Sequence, residues 1–347
     1  MKIAFYRHSL LNRGGDKMVV TYANYLANRG HEVYIYTNIL DTKFTVSEAV
    51  SIKKIPYRTK LGTILWALAH PIDSDVVIAD IIVMAVVLCF ANIKRVVYFA
   101  QDYDVTYYGD LVRRKFIALI YKIGLSGLRI PCIAVSHQLK KELAVYTENI
   151  EVIQNGIDLN VFSPEIDQEL LSIKGNKQVL LIFGRKDPRK GLDVALKVIG
   201  KLMDGIKKES IQMWVVGDHI NRDKICYEVI NFGYIDENEL RKILSCACVF
   251  LYPSKHEGLP LFVLEALASG CPVVTTNAVA WLEHLRTGWV SKVDDVDGLR
   301  TGILSVLLDK TLYRKLRFNG FRVSKRFNIE RSKKKFMEKL LNIFEML

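Results

Sequence analysis

No run of this sequence is apolar for long enough to cross a bilayer. The most apolar stretch, Val76 to Phe90, is 15 residues long and is broken by Asp80, against the roughly 20 that a spanning helix needs. A buried strand running into a helix accounts for it. The amino terminus lacks the apolar core of a secretory leader, because Met1 to Tyr6 leads at once to Arg7, His8 and Arg13. The expectation is a cytoplasmic protein. Cysteine is sparse and scattered: among Cys89, Cys132, Cys226, Cys246, Cys248 and Cys271, only Cys246 and Cys248 lie close, at a spacing that fits neither a zinc ribbon nor a redox CxxC. Folding therefore needs neither disulfide nor metal, and reduced thiols fit a cytosolic chain. Short repeats, low-complexity tracts and the GxGxxG dinucleotide fingerprint are also missing. So are aromatic-basic RNA motifs and helix-turn-helix patterns, which leaves no support beyond charge for a nucleic-acid partner.

What is present is ample core material. Of 347 residues, 50% are hydrophobic and 25% charged, with a mean hydropathy of +0.14, which suits two domains with substantial cores. The net charge of +12 is unevenly spread. Residues 1–150 carry 19 basic and 12 acidic side chains, residues 151–300 carry 18 and 21, and residues 301–347 carry 12 and 4. If the C-terminal segment folds back on the N-terminal half, the two basic regions make one positive face suited to an anionic membrane surface or another polyanion.

Apolar strand-like runs alternate with helical patterns throughout, which predicts parallel sheets covered by helices. The first half reads as strands at Lys2–Tyr6, Glu32–Thr37, Asp75–Ala79, Arg95–Ala100, Cys132–Val135 and Val152–Ile153, with helices over Asp16–Asn28, up to Phe90 and over Leu111–Leu125. The pattern restarts with strands at Gln178–Phe183, Gln212–Val216, Val229–Phe232, Cys248–Leu251 and Pro272–Thr275. Two doubly wound, Rossmann-like domains follow, with a boundary between residues 160 and 177, where Pro164 and Gly175 interrupt the pattern.

Chemistry concentrates after two strands of the second half, where an open α/β sheet binds its ligands. Behind the first comes Gly184-Arg185-Lys186-Asp187-Pro188-Arg189-Lys190-Gly191, in which Arg185 and Lys190 suit a diphosphate, one as a planar fork and the other as a point charge. Behind another comes Ser254 to Glu265. There Glu257 precedes a glycine turn and Glu265, eight residues on, lies in the helix that the turn opens into. The N–H groups at that helix start favour an anion, and the two carboxylates suit the hydroxyls of a sugar and a ribose.

These motifs, with Arg13-Gly14-Gly15-Asp16, Gly30-His31-Glu32-Val33, Ala134-Val135-Ser136, Asn155-Gly156-Ile157-Asp158 and Ala266 to Val274, resemble the retaining glycosyltransferases of family 4 over nearly the whole chain. The E-x7-E block of Glu257 and Glu265 is the most diagnostic. The resemblance implies an α/β GT-B fold: two facing Rossmann-like doubly wound domains, residues 1–165 for the acceptor and 166–325 for the nucleotide-sugar donor, and a C-terminal helix, 326–347, crossing back to the first. It implies that Glu257 holds the donor sugar, Glu265 binds the ribose, and Arg185 and Lys190 neutralise the diphosphate under the Gly15 loop. The base would lie near Gly233, Tyr234 and Ile235, with Gly258, Leu259 and Leu261 completing the donor site and Ser136 looking toward the cleft. The expected partners are a nucleoside-diphosphate sugar and a glycan or lipid-linked acceptor, with no cofactor and no obligatory metal. Alternatives are a catalytically idle nucleotide-sugar-binding scaffold and a GT-B epimerase or phosphorylase.

Gln101-Asp102 departs from the His-Asp pair of many relatives. That histidine typically meets the donor near its 6-position, so Gln101 suggests a donor that differs there, such as a 6-deoxyhexose. Asp102 is an auxiliary base in this reading. Asp102-Tyr103-Asp104 also spells DxD, which binds metal in another glycosyltransferase fold, but Arg185 and Lys190 already supply the cationic charge. Leu111 to Arg129 reads as an amphipathic helix, apolar at Val112, Phe116, Leu119, Ile120 and Ile123, with Lys115 and Lys122 on another stripe. It fits either a core helix with a solvated basic side or a helix lying on an anionic bilayer. In the bilayer case Lys325, Arg326, Arg331, Lys333, Lys334 and Lys335 join the same basic face, and the enzyme sits peripherally on the inner membrane surface.

Overall fold

The computed structural model describes residues 1–91, 95–202, 206–221 and 225–346. The chain divides into two units, Met1–Asn155 with Glu330–Leu347, and Gly156–Ile329.

Seven parallel strands form the sheet of the first unit: β1 (Lys2–Tyr6), β2 (Glu32–Thr37), β3 (Val50–Lys54), β4 (Val76–Ala79), β5 (Val96–Ala100), β6 (Cys132–Ala134) and β7 (Ile150–Val152). Their spatial order is β3-β2-β1-β4-β5-β6-β7. The helices are α1 (Gly14–Ala27), α2 (Lys60–Ala69), α3 (Ile82–Phe90), α4 (Leu111–Tyr121) and α5 (His137–Leu143). Successive strand residues point to opposite faces, which sorts the helices. Phe5 and Phe99 turn toward Phe336 of the C-terminal helix, whereas Tyr6 donates to the Thr63 carbonyl in α2 and Tyr98 meets Tyr121 of α4 hydroxyl to hydroxyl at 2.8 Å. That C-terminal helix and α1 thus cover one face, Tyr22 stacking on Phe336 with ring centres 4.0 Å apart. The layer containing α2 and α4 covers the other.

The second unit has six parallel strands: β8 (Gln178–Gly184), β9 (Ile211–Gly217), β10 (Glu228–Gly233), β11 (Val249–Tyr252), β12 (Val273–Thr276) and β13 (Trp289–Ser291). They lie in the order β10-β9-β8-β11-β12-β13. Its helices are α6 (Gln168–Lys174), α7 (Leu192–Lys201), α8 (Glu237–Cys246), α9 (Leu261–Ala268), α10 (Val296–Leu308) and α11 (Lys310–Ser324); α12 (Ile329–Met346) then returns the chain to the first unit. Leu180, Ile182 and Leu251 pack with Val194 and Val198 of α7 and Leu299 and Ile303 of α10 on one face. On the other, Phe183 and Phe250 pack on Phe262 of α9.

Strands β3 and β13 and helices α2, α5 and α6 are among the elements additional to those expected from the sequence. The expected helix over Leu111–Leu125 is α-helical to Tyr121 and continues as a π-helical turn, Lys122–Gly127. Its apolar stripe is not the core stripe: Val112, Phe116 and Leu119 are exposed, and Ile117, Tyr121 and Leu125 are buried. The single positive face is also revised. Since α12 and α4 lie on opposite faces of one sheet, their basic residues do not merge. The passage between units falls at Asn155–Gly156 rather than in residues 160–177, because Ile157 bonds with Phe327 and Ile329 at 2.9 and 3.1 Å. Leu347, the last residue of the expected C-terminal helix, lies outside the described residues.

Candidate active site

In the second unit β8 and β11 are neighbours, and from them the chain winds outward in opposite directions. Loops at the carboxyl ends of such a strand pair form the crevice where doubly wound sheets bind ligands. After β8, Asp187 accepts from the Arg189 N–H at 3.0 Å and opens the short turn Pro188–Lys190, which Gly191 closes at φ +70°. Only glycine fits there. A Cβ at 191 would stand 1.9 Å from the Pro253 carbonyl oxygen, and the left-handed backbone would add strain.

This close approach sets the β8 loop against the β11 loop. Lys190 Nζ donates to both oxygens of Glu257, at 2.8 and 2.9 Å, while the Tyr252 and Ser254 hydroxyls lie 2.7 and 2.6 Å from Glu257 Oε1. The Glu257 side chain is 5% exposed and that of Lys190 16%. Burial, together with the charge of Glu257, pushes the Tyr252 phenol far above its ordinary range, so it stays protonated as a donor. Gly258, Leu259 and Pro260 are buried, and α9 starts at Leu261 with Pro260 as its cap. Proline offers no side-chain oxygen, so the N-cap residue of α9 makes no side-chain cap bond, and the first N–H groups of a helix are left for other acceptors. Glu265 is buried within α9.

A second cluster gathers after β9 and β10. Tyr234, exposed on the β10 loop, donates to Asp218 Oδ1 at 2.7 Å, and the Lys186 N–H donates to Asp218 Oδ2 at 3.2 Å. The Tyr234 hydroxyl bond, followed by the Lys186 N–H and the charges of Lys186 and Arg185, outweighs desolvation and holds the Asp218 carboxyl below its usual range. The Arg185 charge favours the ionised form of both Asp218 and Tyr252, as a minor contribution in each case. Ile235 is half-buried beside Tyr234. Tyr252, Ser254 and Asp218 were not singled out from the sequence. Tyr252 and Ser254 border the glutamate motif and Asp218 follows a strand-ending glycine, but their bonds exist only once the strands align.

The remaining expected residues belong to the first unit. Gly15 lies in the first turn of α1, and Gln101 Nε2 donates to its carbonyl at 3.1 Å and to Asp80 Oδ2 at 3.2 Å. Arg7 joins Asp80 to the fully buried Asp16, at 3.0 and 2.5 Å, and Arg13 Nε reaches Asp16 at 2.6 Å. Gln101 is therefore engaged in anchoring the start of α1. Ser136 caps α5, accepting from the Leu139 N–H at 3.1 Å, and Asp102 accepts from the Tyr103 N–H at 2.9 Å. Buried Asp104 accepts from the Ile82 N–H at 2.8 Å. That bond fixes the start of α3 and gives the second carboxylate of the DxD string a structural job.

Two family models match this chain: Glycosyltransferase Family 4 over residues 12–161 and Glycosyl transferases group 1 over residues 177–309. The UDP-Gal:alpha-D-GlcNAc-diphosphoundecaprenol alpha-1,3-galactosyltransferase of Escherichia coli is 28% identical over 267 residues, 67% of each chain. The sucrose-phosphate synthase structure from Thermosynechococcus elongatus superposes with a TM-score of 0.83 at 20% identity, covering all of both chains. Anabaena HepE in complex with UDP and glucose gives 0.78 at 17% identity, covering 99% of this chain and 100% of that one. Two Rossmann-like domains with these matches define a glycosyltransferase of the GT-B fold. Within that class, the chain belongs to glycosyltransferase family 4.

Proposed function

We propose that this enzyme moves a hexose or deoxyhexose, with retention, from a nucleoside-diphosphate sugar to a glycan or lipid-linked acceptor. The observation that carries the reading is the Lys190–Glu257 pair just before the start of α9, whose cap Pro260 makes no side-chain bond to it. A carboxylate for sugar hydroxyls, a lysine and a set of N–H groups for phosphate stand within one small site. As the bond to the diphosphate breaks, negative charge grows on the leaving oxygen, and fixed cations and amide dipoles stabilise that transition state more than the ground state. Arg185 and Lys190 are assigned that work, and Glu257 and Glu265 the hydroxyls of the sugar and ribose. The base lies along Gly233, Tyr234 and Ile235. The acceptor attacks the face that the diphosphate leaves, with the departing phosphate taking its proton. Two protein cations make a metal unnecessary, and complete loss of turnover in EDTA would contradict this.

The UDP bound by HepE and the UDP-Gal in the name of the E. coli relative support uridine as the base. That relative's diphosphoundecaprenol acceptor supports a lipid-linked one here. Six free cysteines fit a reducing compartment. Among the described residues no helix is long and apolar enough to cross a membrane, so an enzyme acting on such an acceptor attaches to the cytoplasmic leaflet peripherally. The test is a thermal-shift panel of UDP, GDP, dTDP, ADP and CMP, followed by donor hydrolysis with the sugars of the base that responds. Nucleotide at 100 times its Kd stabilises the fold by about 2.7 kcal/mol. A shift with UDP that vanishes in Arg185→Ala supports the site; no response to any nucleotide refutes it. A strong preference for a 6-hydroxylated donor would remove the deoxyhexose.

A further inference from the structure

The first unit has a crevice of its own: β1 and β4 are neighbours, and from them its chain winds outward in opposite directions, so ligands are received at their carboxyl ends. His8, two residues beyond β1, stands there on a fixed backbone. Its carbonyl accepts from the Asn38 and Ile39 N–H groups at 3.3 and 3.4 Å, and residues 9–10 run parallel to residues 39–40. The neighbouring side chains are tied down too, Arg7 to Asp16 and Asp80, and Ser9 Oγ to Arg13 at 2.9 Å. Two deeply buried polar residues orient the imidazole. His8 Nδ1 lies 3.0 Å from Asn38 Nδ2 and 2.9 Å from Thr63 Oγ1, and Asn38 Nδ2 donates to Thr63 Oγ1 at 2.8 Å. Asn38 is 3% exposed and Thr63 is wholly buried.

These contacts fix the tautomer. An amide N–H can only donate, so Nδ1 accepts and the ring proton sits on Nε2. The amide itself is placed by the Thr59 carbonyl, 3.4 Å from Nδ2; turning it over to use Asn38 Oδ1, which lacks a partner, would set oxygen against oxygen. Burial, followed by the charges of Lys60 and Arg13, lowers the His8 pKa, which keeps the ring neutral at neutral pH. His8 is half-buried, and its Nε2 bonds to none of the described residues. Polar groups are thus buried, at a cost, to hold one neutral N–H that the protein itself leaves unused, the arrangement by which an imidazole is kept for a ligand. We propose that His8 Nε2 donates to a hydroxyl oxygen of the acceptor sugar that does not itself react. The attacking oxygen is excluded, because a bond donated to it would draw on the lone pair that must attack, and a neutral donor suits an uncharged oxygen where a cation would suit a phosphate. The proposal rests on the reading of the first unit as the one that binds the acceptor.

Imidazole nitrogen NMR shifts of the full chain at neutral pH read the ring directly. A neutral Nε2–H form is expected for His8, its signals assigned by their loss in His8→Gln, and an Nδ1–H or doubly protonated ring overturns the proposal. Transfer is then measured, from the donor that the nucleotide panel selects, to N-acetylglucosaminyl, glucosyl and galactosyl diphosphates carrying a short alkyl chain. His8→Phe should raise acceptor KM by about five- to tenfold, the scale of one neutral hydrogen bond, and leave kcat within about twofold, the mark of binding shared by ground and transition states. His8→Gln, whose amide N–H reaches the place of Nε2, should bring KM back toward wild type. Among analogues of the accepted sugar that each lack one non-reacting hydroxyl, one should show the same KM with wild type and with His8→Phe. Unchanged KM in His8→Phe, a loss of kcat that His8→Gln does not rescue, or a KM penalty that persists with every deoxy analogue overturns the contact. No transfer by wild type to any of the three, while UDP still raises Tm, strikes the acceptor reading instead, and this contact with it.

Discussion

Lys190 and Glu257 are 67 residues apart in sequence, and their pairing makes the energetics of the site legible one side chain at a time. Breaking a buried pair costs about 3–5 kcal/mol when the survivor is left bare. Here Glu257 keeps two hydroxyl donors, and Lys190 is partly solvated, so Lys190→Met should cost only about 1–3 kcal/mol by denaturant titration. Turnover in the same variant should fall by about 100-fold or more, the scale of losing a transition-state cation or donor. An unchanged rate would show that the lysine serves only to hold the glutamate. Asp187 gives a pH-dependent counterpart. Burial works to raise its pKa, but the Arg189 side chain and N–H and the charge of Lys190 outweigh it, and the net value is lowered. A lowered folded-state pKa gives stability that is present above the unfolded value of about 3.9 and is lost as pH falls through the folded one. The Tm difference between wild type and Asp187→Asn should therefore be constant above about pH 5 and shrink as pH drops below about 4.

At the level of elements, the Lys190-Gly191 turn decides whether the two ligand loops meet. Gly191→Ala places a methyl against the Pro253 carbonyl in a left-handed backbone, and a loss of at least about 2 kcal/mol is expected, measured as a lower denaturant midpoint. Nucleotide affinity should drop with it; retention of both would mean that the turn rearranges freely. The sequence discloses such turns and the central strands because fully buried parallel strands are plain apolar runs and the glycine follows a basic loop. It does not disclose β3, whose Val50–Lys54 run carries serine and two lysines at a sheet edge, or the three-residue β13. The face of α4 was obscured for a different reason. Ile117, Tyr121 and Leu125 repeat at i, i+4, i+8 beside the Val112, Phe116 and Leu119 stripe, so periodicity finds a helix and not which stripe the sheet covers. Tyr98 settles that through its bond to Tyr121, a long-range fact. The glutamates, Lys190 and Arg185 were readable as residue types after strand ends, whereas Tyr252, Ser254 and Asp218 acquire meaning only from strand alignment.

For the whole molecule, the decisive feature is that the chain leaves the first unit at Asn155, builds the second, and comes back through α12. The return is a structural necessity for the first unit. Phe336 is fully buried against Tyr22 and Phe99, Ser332 Oγ donates to the Gln154 carbonyl at 2.7 Å, and Lys339 pairs with Glu151 at 2.7 Å. One sheet face of the first unit is thus completed by residues that follow the whole of the second unit. A chain truncated after residue 329 leaves the aromatic side of β1 and β5 without its cover, so that unit should fail to fold cooperatively. Phe336→Ala tests the same dependence gently: loss of a buried aromatic costs about 3–5 kcal/mol, and it falls on the first unit alone. Chemical denaturation should then show an early transition that UDP does not move, followed by the transition of the second unit, which UDP still raises by its ordinary amount. Arg185, Lys190, Glu257 and Glu265, the residues proposed to hold the donor, all lie in that second unit, so on that proposal UDP affinity should match wild type while transfer to an acceptor declines as the first unit unfolds. A single transition shifted as a whole and still raised by UDP would mean instead that the two units unfold as one, with α12 binding their stabilities together.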